Sequence, residues 1–306
     1  MKYGSVFRPG LFAGEHFVIT GGGSGIGRCT AHELASLGGQ VALVGRNSDR
    51  LKVVASEIEA TGAIPPTTHV CDIRDEESVK RTVAAILSDH GRIDGLVNNA
   101  GGQFPSPLRD ITRKGWDAVV ANNLTGGFLM ARECFTQWME ANGGSIVNMI
   151  ADMWLSMPGM GHSGAARAGM LNLTMTAAVE WSPAGVRVNA VAPGAIASSG
   201  LDTYSEPMKA RLKDYWRHIP AKRLGTEAEC SAAIVFLLSP AAAFISGTCL
   251  RIDGAQPNGK STWPMPDHKK SKPFRAFPLE RAPEYLEPGE VQDEPRCTAL
   301  SLRQDH

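Results

Sequence analysis

Thr20-Gly-Gly-Gly-Ser-Gly-Ile-Gly27 stands between an apolar segment, His16-Phe-Val-Ile-Thr20, and a helix-forming run from Gly25 to Leu37. Glycines in such a turn let the chain reverse sharply and bring backbone N–H groups against a bound anion. The helix that follows presents its positive N-terminus to that charge. The spacing is TGxxxGxG and not the stricter GxGxxG, and a glycine-rich turn by itself is often no more than a structural loop. Its place between strand and helix carries the argument. With a second strand, Gln40-Val-Ala-Leu-Val-Gly45, about 20 residues further on, it points to a cradle for a dinucleotide pyrophosphate.

Outward from this loop, strand-like and helix-like segments alternate through residue 256, the mark of βαβ units. Strands are expected at 16–20, 40–45, 67–71, 95–98, 145–150, 186–191 and 248–252. Helices are expected at 25–37, 51–60, 76–89, 116–140 and about 163–181, and from the capping box Thr226-Glu-Ala-Glu229 to Leu238. The fold class is α/β, a Rossmann-type doubly wound parallel sheet of seven strands with helices on both faces. Residues 1–256 form one domain. Residues 257–306 hold eight of the 19 prolines among charges without periodicity, and form an extension that wraps a subunit or stays disordered.

Composition narrows the function. The 306 residues carry 31 Lys+Arg and 31 Asp+Glu, so net charge gives no case for a nucleic-acid or polybasic membrane partner. The six cysteines, at 29, 71, 134, 230, 249 and 297, form no CxxC pair, and neither a metal site nor a disulfide framework is expected. No charged leader precedes an apolar run, and no apolar stretch spans a bilayer, so a cytoplasmic setting is expected.

At the end of the second strand the chain reads Val44-Gly45-Arg46-Asn47. An acidic residue there would bond a ribose 2′-hydroxyl and select NAD. Arg46, with Arg50 nearby, suits a 2′-phosphate instead and predicts NADP(H).

These residues together resemble the short-chain dehydrogenase/reductase family. The glycine loop fits, as do Cys71-Asp72-Ile73, Asn98-Asn-Ala-Gly101, Asn123-Leu-Thr-Gly126 and Pro193-Gly194. Gly101-Gly-Gln-Phe104, Lys114-Gly-Trp116, Gly143-Gly-Ser-Ile-Val-Asn148, His162-Ser-Gly-Ala-Ala-Arg-Ala-Gly169 and Phe236-Leu-Leu-Ser-Pro-Ala241 are similar to its NADPH-dependent enoyl-CoA and dienoyl-CoA reductases, including the peroxisomal trans-2-enoyl-CoA type. Bacterial members acting in citronellol and citronellal degradation are similar too. The likeness implies cofactor contacts from Thr20, Gly21, Ser24, Gly25, Ile26 and Gly27 in the loop. It puts Asp72 and Ile73 at the adenine, and Asn99, Ala100 and Gly101 at the adenosine ribose. Pro193, Gly194 and Ile196 would hold the nicotinamide carboxamide. It also implies Asn123 in the helix supporting a catalytic water chain, and a homotetramer packed through the long helices.

The chain departs from the family at its acid–base group. Most members use Ser, Tyr and Lys, with Tyr four residues before Lys. None of the four tyrosines here is followed by Lys at that spacing, and no lysine occurs between Gly115 and Met208. Alignment on Ala168-Gly169 puts Ser163 at the Tyr position and Arg167 at the Lys position. Relatives that carry a Tyr and a Lys further along this helix meet Leu171 and Met175 here. Alcohol oxidation needs a base, and an arginine cannot serve. Reduction of an activated C=C bond needs only hydride and donors for the charge that builds on a carbonyl oxygen. Ser163, Arg167 and His162 are candidate donors, with Arg167 assigned first to the nicotinamide ribose. The expected activity is therefore NADPH-dependent reduction of a 2-enoyl thioester, an acyl-CoA among the candidates, or of a related conjugated carbonyl. Two alternatives stand beside it: an acyclic terpene alcohol dehydrogenase, and a nucleotide-binding subunit that has lost catalysis.

Overall fold

The computed structural model describes residues 2–259, 262–263, 265–283 and 285–286; the C-terminal stretch 287–306 lies outside the described residues. Seven parallel strands form one sheet: β1 (His16–Thr20), β2 (Gln40–Gly45), β3 (Thr67–Val70), β4 (Gly95–Asn98), β5 (Gly144–Met149), β6 (Val186–Pro193) and β7 (Cys249–Ile252). Their order is β3-β2-β1-β4-β5-β6-β7, so the winding reverses between β1 and β4. At such a reversal, neighbouring crossovers leave on opposite faces and open a crevice at the strands' carboxyl ends.

Both faces of the sheet are apolar, as a sheet covered on two sides requires. Phe17 and Ile19 of β1 and Val41 and Leu43 of β2 point to one core, with Leu34, Leu51, Ile58 and Ile234. Val18, Ala42 and Val44 point to the other, with Val83, Ile86, Leu129 and Met130. The first core is covered by α1 (Gly25–Ser36), α2 (Ser48–Glu59) and, later in the chain, a helix over Glu227–Leu238. The second is covered by α3 (Glu76–His90) and a long helical run over 113–142.

Capping explains where helices depart from expectation. The Asn47 side chain accepts from the Arg50 N–H, so α2 begins three residues before the expected Leu51. Thr112 accepts from the Gly115 N–H and starts α4 (Arg113–Val120) ahead of Trp116. The run continues through a π-helical turn (Ala121–Thr125), α5 (Gly126–Cys134), a second π-helical turn (Phe135–Met139) and α6 (Glu140–Asn142). Then come α7 (Gly161–Glu180), α8 (Glu206–Lys213) and α9 (Glu227–Leu238). Helix α8 was not expected, because only Met208 and Leu212 give it an apolar stripe. The Thr226–Glu229 capping box forms at the start of α9 as read.

The described part of the extension lies on the α1/α9 side. Phe277 and Ala276 pack with Cys29 of α1, Ala228 of α9 and Tyr3. Arg28 bonds the Leu279 carbonyl at 3.1 Å and stacks on the Phe277 ring, while Thr226 bonds the Phe274 carbonyl at 2.8 Å. Among the described residues no helix is long and apolar enough to cross a membrane.

Candidate active site

The phosphate loop is tied down from β4. Thr20 Oγ1 accepts the N–H groups of Asn99 (3.0 Å) and Ala100 (2.9 Å), and the Asn99 amide donates to the carbonyls of Thr20 and Gly21. Asn99, expected at a ribose, therefore spends its side chain joining the two strands that border the crevice. Gly21 has φ +67°, and a Cβ there would sit 2.9 Å from the Asn99 amide nitrogen. A Cβ on Gly27 would sit 2.5 Å from the Gly21 carbonyl, so glycine is needed for α1 to seat this close to β1. Ser24 is the N-cap of α1 and its side chain bonds none of the first-turn N–H groups. With Gly25, Ile26 and Gly27 in that turn and no acidic residue among them, the helix end faces outward as an anion cradle.

Arg46 is exposed just beyond β2. Asp72 is held by Arg74 in a bidentate ion pair, which sequence reasoning missed, and this pushes its carboxyl down to about 2. The Ile73 side chain is buried in the second core against Gly126.

At the other end of the crevice, three loops leave the carboxyl ends of β4, β5 and β6 and are stitched together. The Ser106 N–H bonds the Gly159 carbonyl at 2.7 Å, the Asp152 N–H bonds the Pro193 carbonyl at 3.1 Å, and the Gly194 N–H bonds the Ile252 carbonyl at 3.0 Å. Ile196 is buried and pairs with Gly225. The Asp152 carboxyl is pushed up, first by burial and then by Asp253, which itself pairs with Arg251 at 2.8 Å.

Helix α7 supplies the polar centre. His162 and Ser163 are fully buried and Arg167 nearly so. One Arg167 nitrogen donates to the Met149 carbonyl, and its Nε is buried without a partner. A Cβ on Gly101 would lie 2.6 Å from Arg167 Nη2 and 2.7 Å from Asn123 Oδ1, so this glycine makes room for the guanidinium. Desolvation lowers the Arg167 pKa to about 10, leaving it charged at neutral pH. Asn123 sits in the first π-helical turn and exchanges two bonds with the Gly102 backbone, at 3.0 and 2.7 Å. The insertion of one residue into the helical ladder is what aims its amide at the β4 loop.

The Ser163 hydroxyl donates to Gln103 Oε1 at 2.5 Å, and Gln103 Nε2 donates to the Tyr204 hydroxyl at 3.2 Å. Ser163 has one proton and gives it to Gln103. His162 Nδ1 accepts from the Ser163 N–H, its ring stands edge-on to Phe104, and its Nε2 is buried without a partner. Gln103 and Tyr204 are the site members that the sequence did not reveal. The Gly101-Gly-Gln-Phe104 stretch was the available signal for the first; for Tyr204 there was none, since it follows no local motif. Leu171 packs on the core cluster of Ile150, Met170 and Ala190, and Met175 is 43% exposed.

Comparison with known proteins places this geometry. A family model described as enoyl-(acyl carrier protein) reductase matches residues 21–255. A probable 2,4-dienoyl-CoA reductase of Bacillus subtilis (strain 168) is 38% identical over 244 residues, 78% of this chain and 95% of that protein. A glucose 1-dehydrogenase of Gluconobacter oxydans (strain 621H) is also 38% identical, over 247 residues, 79% of this chain and 92% of that protein. Among solved structures, a citronellol catabolism dehydrogenase of Pseudomonas aeruginosa PAO1 is 59% identical, with a TM-score of 0.75 over 83% of this chain and 99% of that one. From its seven-stranded sheet, its glycine loop and these matches, the chain belongs to the short-chain dehydrogenase/reductase family.

Proposed function

We propose that the chain is an NADP(H)-dependent reductase of an activated C=C bond, in a 2-enoyl thioester or a related conjugated carbonyl compound. The family uses NAD(P)(H), and the residues present fit such a cofactor. The open first turn of α1, the glycines that only a bare backbone satisfies, and the unpartnered Arg167 Nε are a cradle and a donor awaiting a polar ligand. Thr20, Gly21, Ser24, Gly25, Ile26 and Gly27 would take the pyrophosphate, Arg46 the 2′-phosphate, and Arg167 the nicotinamide ribose. When bound, the cofactor supplies hydride.

One observation carries the preference for C=C reduction. The centre holds a buried, permanently charged guanidinium, and the positions on α7 that carry a phenol and an amine in relatives are Ser163 and Arg167, or Leu171 and Met175. Arg167 and the His162 ring would stabilise negative charge growing on a carbonyl oxygen, and neither demands a strong base.

The 59% identical structure supports a second reading, oxidation of an acyclic terpene alcohol. Absorbance of NADPH with a panel of 2-enoyl-CoA thioesters, and of NADP with citronellol, separates the two. We expect NADPH consumption with the thioesters. Citronellol oxidation alone would select the second reading, and binding without turnover a subunit that has lost catalysis. Trp116, Phe128, Met175 and Val179, exposed on α4, α5 and α7, support a homo-oligomer packed through these helices.

A further inference from the structure

We propose that Tyr204 is the acid of this site: tethered by Gln103 to Ser163, its phenol protonates the oxygen of the enolate formed at the substrate. The inference rests on the reductase reading above.

Elimination leads to this residue. The chain has four tyrosines. Tyr3 bonds Glu33 at 3.1 Å on the α1/α9 side, and Tyr215 is held by Gln256. Tyr285 belongs to the extension, and its buried hydroxyl has no partner. Tyr204 alone among them is bonded into the cluster on α7.

The direction of the hydrogen bonds then decides which group has a proton to give. Gln103 Oε1 takes the Ser163 proton at 2.5 Å, so the same amide meets Tyr204 through its N–H, at 3.2 Å. Tyr204 is the acceptor in that bond and keeps its own O–H for another partner. Ser163, the residue aligned with the family's phenol, is thus a post that holds Gln103, and Gln103 holds the phenol. Ser163 and Arg167 are four residues apart on α7, one above the other on a single helical face, so the tether ties Tyr204 to the element that carries the cation. The loop bearing Tyr204 follows β6, whose carboxyl end borders the crevice. Burial raises the Tyr285 pKa, and the charges of Asp202 and Tyr204 add to it, so this one residue of the extension lies near the loop that bears Tyr204.

The step balances as follows. Hydride adds with its electron pair to the β-carbon, and the π pair of the C=C bond moves through the α-carbon onto the thioester oxygen. The Tyr204 O–H bond breaks, the proton forms the enol O–H, and solvent returns a proton to the phenolate. The enol then gains a solvent proton at the α-carbon and loses the one on oxygen. The C=C bond is reduced and the nicotinamide oxidised.

The test uses the full chain with NADPH and a short and a long 2-enoyl-CoA. Tyr204→Phe is expected to lower kcat by about 100-fold or more, while the NADPH Kd, read by fluorescence without substrate, stays within about twofold. Ser163→Ala is expected to cost about tenfold or less, because Ser163 acts only through Gln103. Gln103→Ala, which removes the tether and leaves the phenol, is expected to fall between the two, and it serves if Tyr204→Phe does not fold. A Tyr204→Phe enzyme within about threefold of the unmodified one overturns the proposal, as does a larger loss for Ser163→Ala than for Tyr204→Phe. Absence of turnover by the unmodified protein with both thioesters defeats the reductase reading, and the proposal with it.

Discussion

Replacing Glu227 by Gln should make the folded protein less sensitive to alkali. Glu227 opens α9, is 2% exposed, and places Oε1 3.9 Å from the position a Cβ on Gly25 would occupy, beside the phosphate loop. A carboxylate at a helix N-terminus is ordinarily favoured. Here desolvation wins, helped by Glu280, and raises the pKa from 4.5 to about 7. Arg28 opposes the shift weakly, because its guanidinium is already paired with both oxygens of Glu57. Between pH 4.5 and about 7 the folded chain therefore binds a proton at Glu227 that the unfolded chain has released. The stability this contributes is complete below pH 4.5 and is lost as pH rises through about 7. A displacement of this size corresponds to at most roughly 3 kcal/mol. Urea unfolding of both proteins at pH 5 and pH 8 reads it directly. The unmodified chain should lose more stability between the two than Glu227→Gln, by about 2 kcal/mol. Equal losses in the two proteins would refute the reasoning.

Further outcomes follow from the same geometry. Arg46→Asp removes the guanidinium offered to a 2′-phosphate and should shift the NADPH/NADH preference by about 10- to 100-fold; an unchanged ratio of Kd values refutes the assignment. Gly101→Ala puts a methyl 2.6 Å from the Arg167 guanidinium, and should weaken NADPH binding about tenfold or more while costing about 1–3 kcal/mol of stability. Fluorescence titration and urea unfolding measure the two. Phe277→Ala empties the site where the extension meets Tyr3, His32 and Arg28, and should destabilise the chain by about 3 kcal/mol; a change below about 0.5 kcal/mol would mean that the contact adds nothing.

The fold was legible because its signals are local. Glycines at strand ends, caps such as Thr226 and apolar runs such as 41–44 each act within a few residues, and every expected strand is present. The π-helical turn that orients Asn123 was not legible, since one extra residue per turn leaves the apolar pattern of a continuous helix almost unchanged. The site was legible in part. Arg167 and Ser163 could be located by their place on α7, but Gln103 and Tyr204 meet across a separation of 101 residues. Spacing cannot report such a contact. The pair of hydrogen bonds that joins Ser163 of α7 through Gln103 to Tyr204 is likewise a property of three separated segments together.

A guanidinium rather than an amine at position 167 has a consequence that burial makes large. A lysine ammonium buried this deeply, with the Met149 carbonyl as its protein partner, would be driven towards neutrality, since buried lysines are displaced by several pH units. Such a group can shuttle protons near neutral pH. The delocalised guanidinium starts higher and falls only to about 10, so it stays charged. It is a fixed positive charge on a buried side chain, which favours negative charge building on a carbonyl oxygen and does little for a reaction that must carry a proton away. Arg167→Lys therefore tests more than charge. If the fixed cation matters, the variant should lose C=C reduction progressively as pH rises through neutrality, while the arginine enzyme holds its rate. Matching pH profiles would show that a mobile proton at this position serves as well.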